Sequence, residues 1–299
     1  MKAEFIFTVT ESKWLIAKCI ARLERVQKAL KEGIVAMHPS TSVYHLYYEL
    51  TGEYPDVKKV WITGMNTPKA MCGEANTMLT HKQNANKSTD PGVVKALSDA
   101  GSYSHTLVLR NGKPVYGWTL NELIDNMGAG DIYFKGPNGV DMNKRPLVLI
   151  GSKDGSGTIG RMVAGASKKG YEIITPAGLE KFLPFDLRES ARFVNSGGID
   201  YSMGIRSKAF SFDCTVINEV DALESYADVK AVPFAAGGLD GAEGAALVAV
   251  EGEQTQVQKV IELCETVKGA KLPPIHSLDC VECPAHICHF RGTKKPWIK

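Results

Sequence analysis

The sequence predicts an α/β protein: a Rossmann-like, mostly parallel sheet covered by helices, joined to a smaller ferredoxin-like α+β unit. Three observations carry this. Apolar strand-like runs alternate with helical stretches through much of the chain, the pattern of strands joined by helical crossovers. Capping boxes and a tight-turn dipeptide mark where elements start and reverse. After Arg206 the order becomes strand, helix, strand, strand, helix, which suits a small α+β unit.

Taken in order, Thr8 and Glu11 have capping-box spacing, and Leu15, Ile16, Cys19, Ile20, Leu23, Val26 and Leu30 fall on one helical face that Gly33 ends. Residues 34–37 read as a buried strand. His38-Pro39-Ser40-Thr41-Ser42 then turns into a second helix through Leu50, and residues 57–63 read as the next strand. Residues 64–90 are polar and longer than a loop inside a compact domain usually is. Asp90-Pro91 opens a helix to Ala100, with proline at the favoured first position. Residues 104–110 and 113–118 flank Asn111-Gly112, a hairpin signal, and Thr119 with Glu122 caps a helix to Met127.

Strands follow at 131–135 and 146–151, a helix at 157–169 and a strand at 171–175. The last part reads as strand 209–216, helix 218–226, strands 229–235 and 245–250, and helix 254–268. The expected units are therefore 1–205, a Rossmann-like domain, 206–272, the ferredoxin-like unit, and 273–299, a cysteine-bearing extension.

Composition excludes several classes. With 299 residues, 44% apolar and 23% charged, the chain has the make-up of a globular protein with a sizeable core. A net charge of +2 offers nothing to nucleic acid or to an acidic membrane surface. There is no apolar run long enough for a membrane span, and Met1 to Phe5 do not open a signal peptide. Seven cysteines, four of them scattered, fit a reducing compartment, so a cytoplasmic location is expected; a homo-oligomer stays open.

The strongest local feature is a strand that runs through Gly151-Ser152-Lys153-Asp154-Gly155-Ser156-Gly157-Thr158 into a helix. Glycines let consecutive N–H groups turn inward, and the helix start adds partial positive charge. Lys153, Gly155, Ser156, Gly157 and Thr158 are thus candidates to hold phosphate or another anion; a plain strand–helix turn is the alternative.

Around this loop the chain resembles ribose-5-phosphate isomerases. Asp131 to Asp141 is similar to their D-x-x-x-D-G-A-D-E-V-D segment, and Lys153 to Gly157 and Ala166-Ser167-Lys168 stand where they have K-G-G-G-G and A-S-K. Ser40-Thr41-Ser42 is similar to their G-T-G-S-T loop without its glycines. The resemblance covers about residues 10–180 and implies the fold shared by sugar-phosphate isomerases, glucosamine-6-phosphate deaminase and coenzyme A transferases, with a small anionic ligand at the strand ends.

The departures are chemical. Lys135 and Asn138 stand where the isomerases have acids, and only Asp141 matches. Gly160, Arg161 and Met162 occupy the place of the general base. Lys135 and Asn138 make the crevice more electropositive, which suits an anion. Asp141 and Glu243 are the remaining carboxylate candidates for catalysis. Glu243, in the glycine-rich stretch 237–244, resembles the coenzyme A transferase nucleophile; a turn between two strands with Glu243 in solvent is the alternative.

The tail carries Cys280, Cys283 and Cys288, with Cys-x2-Cys spacing in the first pair. Two thiolates so placed reach one metal, and His276 is the leading fourth ligand, for zinc or an iron–sulfur cluster. A reduced, metal-free tail is the alternative. The expected function is binding of a small phosphorylated or coenzyme-A-like ligand, with turnover left open. The alternatives are a non-catalytic ligand sensor or scaffold of the same fold, and a metal- or redox-dependent protein using the tail.

One consequence is negative. Loss of a general base alone costs about 10²–10⁴-fold in rate, and the acids are missing as well. No ribose 5-phosphate isomerisation is expected, and a coupled assay showing turnover on the order of 1–10³ per second would overturn this.

Overall fold

Four short parallel strands, buried almost throughout, occupy the middle of the largest sheet. In order across the sheet they are β13 (Thr215–Ile217), β10 (Glu172–Pro176), β7 (Ile132–Phe134) and β2 (Ile34–Met37). These come from a computed structural model of the chain, which describes residues 1–55, 62, 64–72, 106–116, 118–151, 156–275, 280–281, 283 and 288–298. Of the strand expected over 57–63 only Ile62 is described, and the helix expected over 90–100 lies outside the described residues.

β2 also pairs antiparallel with β5 (Leu107–Arg110), which a hairpin joins to β6 (Lys113–Val115). The turn is Asn111-Gly112, with φ of 49° and 73°, the two left-handed residues that suit a tight hairpin between twisted strands. Asp131 fixes the start of the central pair. Its carboxylate accepts from Ile34 N at 2.7 Å and from Gly128 N at 2.8 Å, and a Cβ on Gly33 would lie 2.4 Å from its Oδ1.

Alternation along the strands sends side chains to two faces. Val35, Met37, Phe134 and Ile174 meet helices α1 (Val9–Arg22), α3 (Tyr44–Thr51) and α7 (Glu219–Tyr226). Ile34, Ala36, Tyr133 and Ile173 meet α4 (Leu120–Asn126) and α5 (Gly157–Lys169). The expected first helix divides at Leu23, whose ψ of 131° is extended, and continues as α2 (Glu24–Glu32).

Two smaller sheets flank this one. β11 (Phe182–Leu183), β8 (Gly139–Asp141), β9 (Pro146–Ile150) and β12 (Lys208–Ser211) form one, and α6 (Leu187–Asn195) packs on it through Leu187 and Ala191. β1 (Lys2–Phe7), β15 (Ala246–Gly252) and β14 (Val229–Ala236) form an antiparallel sheet beside α8 (Gln254–Thr266). Phe7, Val248, Val257, Val260 and Leu263 from this last group belong to the same hydrophobic cluster as Ile16, Val35 and Phe134. A short hairpin, β3 (Asn66–Thr67) with β4 (Ala70–Met71), completes the set.

The fold is mixed α/β, with eight α-helices among the described residues and a six-stranded mixed sheet. Two sequence expectations change. The strand read over 209–216 is two strands, β12 and β13, in different sheets, because Phe212 to Cys214 turn the chain between them. β9, read as part of the parallel sheet, runs antiparallel to β8 and β12 in the four-stranded one. Among the described residues no helix is long and apolar enough to cross a membrane.

Candidate functional site

Hydrogen bonding between the parallel strands does not stop at their last residues. His38 N donates to Phe134 O (2.9 Å), Lys135 N to Ile174 O (3.0 Å) and Ala177 N to Ile217 O (3.0 Å). These bonds gather the segments leaving all four strands, residues 38–42, 135–137, 177–181 and 218–219, at one edge. It is the carboxyl edge of the parallel strands, where open α/β sheets bind ligands.

Three lysines converge there. Lys13, in the first turns of α1, is 9% exposed, and its Nζ donates to Thr41 Oγ1 at 3.0 Å. Lys181 Nζ donates to Ser42 Oγ (3.3 Å) and to the Pro137 carbonyl (2.7 Å). Lys135 makes no side-chain hydrogen bond or ion pair among the described residues. Lys135 and Lys181 are largely surrounded by protein yet keep some accessible surface.

The charges are poorly compensated. Burial lowers the Lys135 ammonium to about 7, helped by the charge of Lys181, and burial with the charge of Lys13 lowers Lys181 to about 8, against Glu180. Lys13 is also lowered by burial, again against Glu180. Glu219, fully buried at the start of α7, is raised to about 7 by burial, although Ser12 and the Leu179 amide (2.9 Å) both donate to it. The Ser40 hydroxyl and Glu180 Oε1 are buried without a hydrogen-bond partner among the described residues. Gly136 makes room for the hydroxyls: a Cβ there would lie 2.8 Å from Ser40 Oγ and 2.9 Å from Ser42 Oγ.

Aromatic rings stand beside this cluster. His45 stacks on Trp14 at 5.0 Å and meets Tyr44 and Tyr54 edge-on, and burial with the charges of Lys13 and Lys18 lowers it to about 4. It is therefore neutral at pH 7.

The structure brings together Ser40, Thr41, Ser42 and Lys135 from the residues read in the sequence, and adds Lys13, Lys181, Glu180 and Glu219. Lys13 carried a signal: it shares a helical face with Ile16, Ala17 and Ile20, all buried. Lys181 carried none.

Other expectations fall elsewhere. Asn138 spends its side-chain oxygen on Leu149 N (2.9 Å), a structural link from the residue before β8 to β9. Asp141 is buried and organises a turn, accepting from Asn143 N (2.8 Å) and Arg145 N (2.9 Å) beside the Arg145 guanidinium. Glu243 is exposed in the turn between β14 and β15, its Oε1 accepting from Gly241 N at 3.3 Å. This is the strand-connecting turn, with no built environment for a nucleophile.

Lys153 and Gly155 lie outside the described residues, and Ser156, Gly157 and Thr158 form the start of α5, with Ser156 as its N-cap. His276 also lies outside them. Cys280, Cys283 and Cys288 are partly buried, and among the described residues no group of three His, Cys, Asp or Glu side chains is placed to hold a single metal ion.

No protein-family model matches the chain, and neither does any curated protein or solved structure.

Lys135→Met is expected to stabilise the ligand-free fold. Between the folded value near 7 and the unfolded value of 10.5 the unfolded chain holds the extra proton, so wild-type stability rises with pH across that window. The gain from removing the charge is therefore largest below pH 7, about 1–3 kcal/mol, and shrinks as the pH climbs toward 10.5. Urea denaturation of both proteins at several pH values measures it; a loss of stability at pH 6 would refute the reading.

Proposed function

We propose that the protein binds a small anionic ligand, a phosphorylated or coenzyme-A-like compound, at the carboxyl edge of its parallel strands. The observation that carries this reading is that Lys13 and Lys181 donate to the hydroxyls of Thr41 and Ser42 while Lys135 lies within reach of the Lys181 charge, with no ion pair to any of the three ammonium groups among the described residues. Buried positive charge without a partner is costly, and a bound dianion removes that cost. Phosphate or sulfate oxygens would accept from the ammonium groups, while the Ser40 hydroxyl, free of a protein partner, would donate. The finer description, a Rossmann-like sheet of the sugar-phosphate isomerase and coenzyme A transferase type, is supported by four parallel strands whose carboxyl ends meet at one edge and by the resemblance in residues 131–141.

A second reading concerns turnover, and Lys135 favours it. An amine lowered to about 7 beside a second cation is substantially neutral at physiological pH and nucleophilic. Its nitrogen would add to a ligand carbonyl, and loss of water would leave an imine.

Calorimetry with sulfate, whose charge does not change near neutrality, tests the first reading. Affinity should fall as the pH rises through about 7 to 8, where Lys135 and Lys181 lose their protons. Lys135→Met should weaken binding at least about tenfold, a change of roughly 1.4 kcal/mol. Sugar phosphates and coenzyme A esters should raise the melting temperature. Absence of any shift with every phosphate compound, or full affinity in the variant, would sink it.

Borohydride trapping tests the second. A 2-oxo acid or keto-sugar phosphate should leave a mass adduct on the peptide containing Lys135 and none on Lys135→Met. Adducts spread over surface lysines would exclude an imine at this position.

A further inference from the structure

Three stretches of chain that are remote in sequence meet at the C-terminal segment. The first ends β4 and delivers Cys72, whose amide donates to Met65 O at 2.6 Å. The second is 201–206. Ile205 N donates to Met71 O at 2.7 Å, and a Cβ on Gly204 would lie 2.0 Å from that same oxygen, so glycine is required for the approach. The third is the tail itself. Cys288 pairs with Ile205 in an antiparallel bridge, and His289 N donates to Gly204 O at 2.8 Å. Trp297 Nε1 donates to Lys69 O at 2.6 Å, and Phe290 packs edge-on against Trp297. Cys72 and Cys288 thus flank one short stretch from opposite sides.

Lys295 stands among them. It is 3% exposed, and its Nζ donates to Cys72 Sγ at 2.7 Å, its only hydrogen bond among the described residues, with no carboxylate paired to it. Cys280 and Cys288 both lie within electrostatic reach of this ammonium. A buried cation whose neighbours are sulfur atoms calls for negative charge on the sulfur, and thiolates bound to a metal group carry it.

We propose that Cys72, Cys280, Cys283 and Cys288 ligate one iron–sulfur cluster, with Lys295 donating a hydrogen bond to the Cys72 sulfur. Cys72 takes the fourth position for which the sequence offered His276. The spacing favours a cluster over zinc. Structural zinc sites draw on two separate ligand pairs. Here one short segment supplies three thiols as Cys-x2-Cys-x4-Cys and a remote residue supplies the fourth, the three-plus-one pattern of iron–sulfur proteins. A group of several irons also spans a wider set of thiols than a single ion does. On ligation each thiol releases its proton to solvent. The Lys295 ammonium favours the more electron-rich state, so it raises the cluster's reduction potential.

This site is independent of the lysine crevice. The test is anaerobic purification of the full chain, then treatment with equal parts ferrous and ferric iron and with sulfide, followed by metal and sulfide analysis and visible spectroscopy. The expected result is about two to four irons per chain with matching sulfide and an absorption that bleaches in air. Cys72→Ser should lower iron at least tenfold, while Cys214→Ser, remote from the tail, keeps it. Lys295→Gln should keep the cluster and lower its potential, which reads out the site even if Cys72→Ser does not fold. Full iron in a folded Cys72→Ser would remove Cys72 from the ligand set. One zinc per chain without iron, or less than a tenth of an equivalent of any metal after reconstitution, would overturn the proposal.

Discussion

The protein depends on a ladder of backbone hydrogen bonds that runs past the ends of its central strands. Each of His38, Lys135 and Ala177 donates its amide to a carbonyl of the neighbouring strand, so the segments that follow cannot splay apart. Asp131 fixes the other end of the same pair by accepting from Ile34 N and Gly128 N. With both ends held, the hydroxyls of Ser40 and Ser42 lie close against Gly136, where a Cβ would not fit.

What this scaffold holds in place is an electrostatic conflict. Three ammonium groups share one crevice, while Glu180 and Glu219 stand nearby without forming an ion pair to any of them among the described residues. Uncompensated charge of this kind lowers the stability of the fold and is tolerated because the surrounding core outweighs it. Here that core is the layer of Val35, Met37, Phe134 and Ile174 packed under α1 and α3. Burial moves both Lys135 and Glu219 toward their neutral forms, each to about 7.

Local signals made much of the fold legible. The capping boxes at Thr8 and Thr119 and the Asn111-Gly112 turn act through neighbours in sequence, and each appears where its pattern places it. Half of the crevice was legible too, because Lys135 and Ser40 to Ser42 sit at the ends of strands that could be read. The rest depended on partners remote in sequence. β1 was missed because its pairing partner, β15, is at the other end of the chain. β9 was assigned to the wrong sheet because a short apolar run is the same in a parallel or an antiparallel ladder. Lys181 follows β10 in an irregular segment with no periodicity. Cys72 looked like one of several scattered cysteines until the tail folded back on Gly204.

The shared hydrophobic cluster bears on how the molecule comes apart. Phe7 and Val248 of the three-stranded sheet and Val35 and Phe134 of the central sheet belong to one hydrophobic cluster with Leu15, Ile16 and Ile20 of α1. Melting either sheet would expose the apolar stripe of that helix, Leu15, Ile16 and Ile20, to water, so neither has a favourable way to open alone. A shared core of this kind couples the two sheets across the change of pattern near residue 206.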